Sequence, residues 1–230
     1  MNALEVIALC AREYNDVAYA RIFKSAADGS PNWLDWLNDA QRAVVLVRPD
    51  ANSSTEAIAL VAGTKQSIPA SALRLLGVTR NMGAGGATPG KTVRLIDRNT
   101  LDDLNRDWHN STPAAEVEEV IYDEKKAPRT FYVSPPLSGV AYIEVEVSKL
   151  PTDVTDPIAG VISLPDTYAG PLQAWMLHRA YGMQTQAQNM FQRSQFYFSS
   201  FFNQLGVKLR GEMFFGAATP GQFPMGGGNA

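Results

Sequence analysis

Side chains that carry chemistry are scarce in this chain. It has one cysteine and two histidines, so an intrachain disulfide is impossible and an imidazole-based metal or acid–base centre has little to draw on. The nucleophile-elbow pattern G-x-S-x-G is absent. Cys10 lies in the amphipathic run LEVIALCARE with no histidine beside it, which reads as a packed thiol rather than a nucleophile. No apolar run approaches the ~20 residues of a membrane span, and no leader pattern opens the chain. With the lone cysteine, this gives the expectation of folding in a reducing cytoplasm. Blocks of basic residues are missing as well. The 20 Lys and Arg against 23 Asp and Glu leave a formal charge of −3, which argues against gripping nucleic acid by neutralising phosphates. There is no internal repeat and no βαβ alternation.

What the chain has in quantity is apolar surface. At 230 residues and 45% hydrophobic, it can bury one sizeable core or two small ones without disulfides or metals. The last quarter is the most informative part. In QAQNMFQRSQFYFSSFFNQLG, side chains at Ala187, Met190, Phe191, Ser194, Phe198, Phe201, Phe202 and Leu205 recur with helical spacing, while Phe196 falls off that stripe. The tail GEMFFGAATPGQFPMGGGNA strings Met213, Phe214, Phe215, Phe223 and Met225 on Gly and Pro. Bulky aromatics on the wet side of a helix, followed by such a tail, imply packing against a second chain. The candidate partner-binding residues are therefore Phe196, Met213, Phe214, Phe215, Phe223 and Met225.

The order of elements is helices, strands, helices. Leu4, Ile7, Ala11 and Tyr14 mark a first helix that stops near Asn15-Asp16. A second runs through PNWLDWLNDAQRAVVLVRPD, with Ser30 as the expected cap, Pro31 in its first turn and Pro49 as its stop. Short β-favouring runs follow, EAIALVAGT and TVRLIDR, with a helix-like ASALRLLG between them. Thr100 and Asp103 suggest a capped turn in LDDLNRDW. EVEEVIYD and RTFYVSPP read as a hairpin. The cleanest strand places Ala141, Ile143, Val145 and Val147 on one face and Tyr142, Glu144, Glu146 and Ser148 on the other. Asp166 is the expected cap of DTYAGPLQAWMLHRAYG. The fold class expected is α+β: a helical bundle formed by the N- and C-terminal helices, an inserted antiparallel β domain, and an extended C-terminal arm. The expected division is 1–54 and 158–206 for the bundle, 55–157 for the β domain and 207–230 for a docking arm.

Residues 85–92, GGATPGKT, satisfy the phosphate-loop pattern G-x-x-x-x-G-K-[ST]. In a working loop Gly85 and Gly90 would let backbone N–H groups wrap phosphate, Lys91 would reach the terminal phosphates and Thr92 would hold magnesium. The context argues against that use. A phosphate loop leaves a buried strand and opens a helix, whereas TRNMGA precedes this one and the strand-like VRLIDR follows it. Pro89 also has no N–H to offer. The expectation is a Gly-rich loop joining two β segments, with no cofactor. His109 near Asp102, Asp103 and Asp107 is a weak metal or acid–base signal, and the carboxylates read as helix caps. His178, among Trp175, Met176 and Tyr181, reads as a packed or interfacial ring. Trp33 and Trp36 read as bundle anchors, and Asn38, Asp39 and Gln41 as side chains that hydrogen-bond across to a neighbouring segment.

Five stretches carry a resemblance: WLDWLNDAQRAVVLVRPDA, AGTKQSIPASALRLLGVTRNM, LDDLNRDWH, VIYDEKKAPRTFYVSPP and LPDTYAGPLQAWMLHRAY. Together, over roughly residues 3–206, the chain resembles bacteriophage head-to-tail adaptors, nearest to the short-tailed phage adaptor called tail tubular protein A or gatekeeper. The resemblance implies a homo-oligomeric ring, usually a dodecamer, seated between the portal protein and the tail nozzle or tail tube protein. It implies that genomic DNA passes through the lumen without sequence-specific binding, that the protein resides in the virion neck or tail after assembly in the host bacterial cytoplasm, and that it is no enzyme. The GGATPGKT loop is not part of that family pattern. Three competing readings are a distal tail or baseplate component, a phosphate-loop nucleotide-binding protein, and a soluble α+β interaction module.

Overall fold

The computed structural model describes residues 1–16, 32–183 and 188–215. Helix α1 spans Ala3–Glu13, and the Asn2 side chain accepts the Leu4 N–H at its start. Asn15, with φ 63°, turns the chain away, and only a few residue types tolerate that conformation. Helix α2, Trp33–Val47, opens on a capping box: Asn32 accepts from the Asp35 N–H while Asp35 accepts from the Asn32 N–H. The cap is thus Asn32 rather than Ser30; Ser30 and Pro31 lie outside the described residues. Beyond Arg48, Pro49 starts a single 3-10 turn that ends the helix.

Two four-stranded sheets follow. The first has the order β1 (Ser53–Leu60), β8 (Ala141–Lys149), β3 (Ala72–Met82), β4 (Pro89–Thr92). The second runs β2 (Gly63–Ser67), β7 (Thr130–Leu137), β6 (Glu119–Ile121), β5 (Arg94–Leu95). All pairings are antiparallel except β5 with β6. The sheets share one core, to which β8 contributes Ile143, Val145 and Val147 and β7 contributes Phe131 and Val133. A short helix α3, Arg98–Leu104, is capped by Asp97 rather than Thr100, with Asp97 accepting the Asn99 N–H. The expected hairpin forms as β6 and β7.

The helix-like run ASALRLLG is instead the start of β3. Its apolar residues are spaced like a helix because β3 slips register against β8 three times, between Ala72 and Arg74, Leu75 and Gly77, and Val78 and Arg80. Each bulge adds a residue to one side of the ladder, so Ala72 and Leu75 both face the core although they are three apart.

Helix α4, Ala169–Gly182, is the centre of the second core, packing on α1, α2 and the long helix α5, Gln188–Phe215. Trp33, Trp36, Leu37, Leu172, Met176 and Phe201 are fully enclosed there. Each such burial is worth about 1.5–3 kcal/mol against exposure. Asp166 does not cap α4. It sits in a preceding 3-10 turn and pairs with the Met1 ammonium at 3.0 Å. The residues leaving β8 return to the bundle, where Val154, Ile162 and Leu164 join its core. Asn38 fixes that return by donating to the Val154 carbonyl and accepting its N–H, and Gln41 accepts the Ser163 N–H. The architecture is α+β, five helices and two antiparallel-rich sheets among the described residues. The arm expected to be extended from 207 is helical as far as Phe215. Gly206 does not end α5: its neighbours Leu205, Lys208, Leu209 and Arg210 are strong helix formers, and an interior glycine costs only about 1 kcal/mol.

Candidate interaction surfaces

The segment matching the phosphate-loop pattern is a β-hairpin. Gly83 opens it and its N–H donates to the Thr88 carbonyl at 2.7 Å, while the Gly86 N–H donates to the Gly83 carbonyl at 2.9 Å. Gly85 and Gly86 take φ of 71° and 73°, where a side chain is strained. A Cβ on Gly86 would also stand 3.0 Å from the Ala57 Cβ, and one on Gly90 3.0 Å from the Asn81 carbonyl oxygen. Each glycine is therefore accounted for by the turn and by its close approach to β1 and β3. Pro89, Gly90, Lys91 and Thr92 form β4. Lys91 is 82% exposed and pairs with Glu116 at 2.8 Å, and that hydrogen bond holds its ammonium above the usual lysine range.

Both histidines have partners within the fold. His109 stacks on Trp108 with 3.6 Å between ring centroids and shares a 2.9 Å hydrogen bond between its Nδ1 and the Thr64 hydroxyl. Asp102, beside it, accepts the Trp108 indole N–H at 2.8 Å, and this bond above all keeps its carboxyl below the usual range. Among the described residues no cluster of His, Cys, Asp and Glu has the makings of a metal site. His178 Nδ1 lies 2.9 Å from the Ser194 hydroxyl and 3.0 Å from the Ser194 carbonyl. The Ser194 hydroxyl spends its single proton on the His178 carbonyl, and a carbonyl only accepts. His178 is therefore protonated on Nδ1. Cys10 is wholly enclosed, and burial pushes its thiol well above the ordinary value.

The aromatic helix α5 divides into three faces. Its core face is Met190, Ser194, Tyr197, Phe201 and Leu205. Gly170 and Gly182, near the two ends of α4, bring the helices close: a Cβ on Gly170 would lie 2.5 Å from Gln204 Oε1, and one on Gly182 3.4 Å from Ser194 Oγ. Tyr197 donates to Glu13 of α1, and burial followed by that bond raises its phenol. Tyr181 stacks on Tyr197 at 5.7 Å.

The second face holds Phe191, Phe198 and Phe202, which the period alone assigns to the core. They are 53%, 37% and 43% exposed. Phe198 and Phe202 meet edge to face at 5.0 Å, and Phe198 lies 6.3 Å from Trp175, whose indole N–H donates to Asp39. Trp175 continues the apolar surface into a hollow of about 350 Å³ shared with Leu46, Leu73 and Leu150.

The third face carries Phe196, 67% exposed, above a groove of about 740 Å³ lined by Thr167, Gly170, Pro171, Ser199, Ser200, Asn203 and Gln204. Phe196 stands out in the sequence as an aromatic off the helical stripe, whereas the groove does not. Its only local signal is the run of small and amide side chains at 199, 200, 203 and 204 facing away from the core stripe. From Ser194 to Val207 α5 has no charged residue.

Of the other candidate contacts, Met213, Phe214 and Phe215 fall in the last turn of α5, and Phe223 and Met225 lie outside the described residues. Among the described residues, no helix is long and apolar enough to cross a membrane. The family model for the SU10 adaptor protein matches residues 1–221. No curated protein matches the chain.

Proposed function

The chain belongs to the SU10 adaptor protein family, and from that premise we propose that it is a structural protein of the phage virion, a head-to-tail adaptor. In this reading copies of the chain form a ring, a dodecamer, between the portal protein and the tail nozzle or tail tube protein, and the genome leaves through the lumen. One observation carries it: α5 exposes phenylalanines on two flanks and has no charge for fourteen residues, from Ser194 to Val207. A solvated helix face is normally charged, and apolar surface of this kind is covered when a partner docks. Repetition of one contact around a closed rotation covers it in every copy. The net charge of −3 suits a channel that DNA slides past.

The segment 207–230 is the portal-docking element and the β unit faces the tail. Met213, Phe214, Phe215, Phe223 and Met225 are its apolar anchors. Deleting 207–230 is expected to leave the melting temperature unchanged and to prevent stable attachment to portal-containing heads. The decisive experiment is native mass spectrometry with negative-stain imaging of the protein, alone and mixed with portal. A ring is expected; monomers under both conditions overturn the reading. Labelling of virions distinguishes the neck from a distal tail or baseplate position. The hairpin at 83–92 takes no nucleotide in this reading, and magnesium-dependent ATP binding lost on Lys91→Ala would contradict it.

A further inference from the structure

The ring reading leaves open which surfaces meet. Measured around α5 at about 100° per residue, Phe191, Phe198 and Phe202 stand on one flank of the core stripe, and the groove at Phe196 and Ser200 opens on the other side, roughly 140° away. One is a ridge and the other a depression. The groove is lined by Thr, Gly, Pro, Phe, Ser, Asn and Gln, with no charged side chain; the ridge is built of phenylalanine edges that rest on one another, and beside it at Trp175 the charges of Asp39 and Arg179 pair at 3.2 Å. Among the described residues, neither place offers a phosphate-bearing or strongly ionic partner an excess of one charge. A neutral apolar ridge does match a neutral apolar groove, and this chain presents both.

We propose that the Phe191/Phe198/Phe202 ridge of one copy seats in the Phe196 groove of the next. This rests on the ring reading and adds its contact. Because ridge and groove are different surfaces of one copy, filling a groove leaves the incoming copy's own groove open. The contact is therefore head to tail, and it propagates until the rotation closes. The side-chain amides of Asn203 and Gln204 and the Ser200 hydroxyl supply hydrogen bonds at the rim, as in protein interfaces with an apolar centre.

Cross-linking tests the contact directly. Gln195 lies beside the ridge and Ser200 in the groove, so the single variants Gln195→Cys and Ser200→Cys are treated with a short bis-maleimide, separately, mixed, and as the double variant. Cys10 is enclosed and stays silent. The expected result is no dimer from either single variant, dimer from the mixture, and a ladder of multimers from the double variant that disappears when Phe198→Asp and Phe202→Asp are added. Dimers from either single variant reveal a two-fold contact and overturn the proposal. Rings seen by negative stain without a ladder overturn the contact while sparing the ring reading; absence of both overturns the two together. A Ser200→Cys thiol that reacts with monomaleimide only after residues 216–230 are deleted assigns the groove to the chain's own C-terminal segment and likewise overturns it.

Discussion

The surface of the β unit and the surface of α5 solve opposite problems. Across the sheets and their loops, exposed or half-exposed charges pair with one another: Arg74 with Glu124 at 2.9 Å, Lys91 with Glu116 at 2.8 Å, Lys149 with Glu56 at 2.6 Å. Such pairs add little stability, about 0–1 kcal/mol each at an exposed site, but they keep a surface wet. On α5, phenylalanine stands where those charges would be. In the proposed ring the difference separates a face that remains in water from one that the assembly covers, and it does so without reference to any motif.

The comparison can be broken at the core face of α5 first. Phe201→Ala removes a fully enclosed ring and is expected to cost about 3–5 kcal/mol, read as a lowered denaturation midpoint in urea. A loss below about 1 kcal/mol would mean that α5 is not held in the bundle as described. Next in size is the ridge. Phe198→Asp combined with Phe202→Asp should weaken self-association by at least 2 kcal/mol, the range of interface anchors. Sedimentation checks this, with the far-UV spectrum unchanged. If the same substitution unfolds the protein, the ridge belongs to the core after all.

On the β unit, Gly86→Val forces a side chain into φ 73° and against the Ala57 Cβ, with an expected cost of about 1–3 kcal/mol and no effect on association beyond that of stability. The smallest effect is expected at Lys91→Ala, which removes an exposed ion pair: neither melting temperature nor assembly should change. Cys10 gives a pH check. Its thiol titrates higher when folded than its value of 9.0 outside the protein. The folded state therefore keeps the proton that the unfolded state loses above pH 9, and the Cys10 contribution to stability is complete below that pH and declines above it. Cys10→Ser should remove that part of the alkaline decline in urea unfolding, and a decline of the same size in the variant would disprove the assignment.

Some elements were readable from local chemistry. Alternation in AYIEVEV gave β8 because neighbouring side chains on a strand point to opposite faces regardless of what the strand pairs with. Trp33, Trp36, Asn38 and Gln41 were readable as anchors and cross-links, since large aromatics and amides interleaved on one helix have few other uses. The β3 run was misread as helical because bulges shift register, and a bulge arises from pairing with β8 rather than from the run itself. The capping role expected of Ser30 belongs to Asn32, two residues on, which the Asp35 partner three positions later could have indicated.

The candidate surface divides in the same way. That α5 is a helix with too many aromatics for its own core follows from residue types and their period, which are local. Which of those aromatics stay outside was decided by the fold: Gly170 and Gly182 let α4 approach one narrow stripe of α5, and Glu13 of α1 holds Tyr197 on that stripe. A period of 3.6 fixes which side chains share a face, but only the neighbouring helices determine how wide a face they cover. The glycines of GGATPGKT make the same point, since the letters are compatible with a phosphate cradle or a tight hairpin. Contacts distant in sequence hold the hairpin: β8 anchors β3, on which β4 folds back, and Gly86 lies against Ala57 of β1.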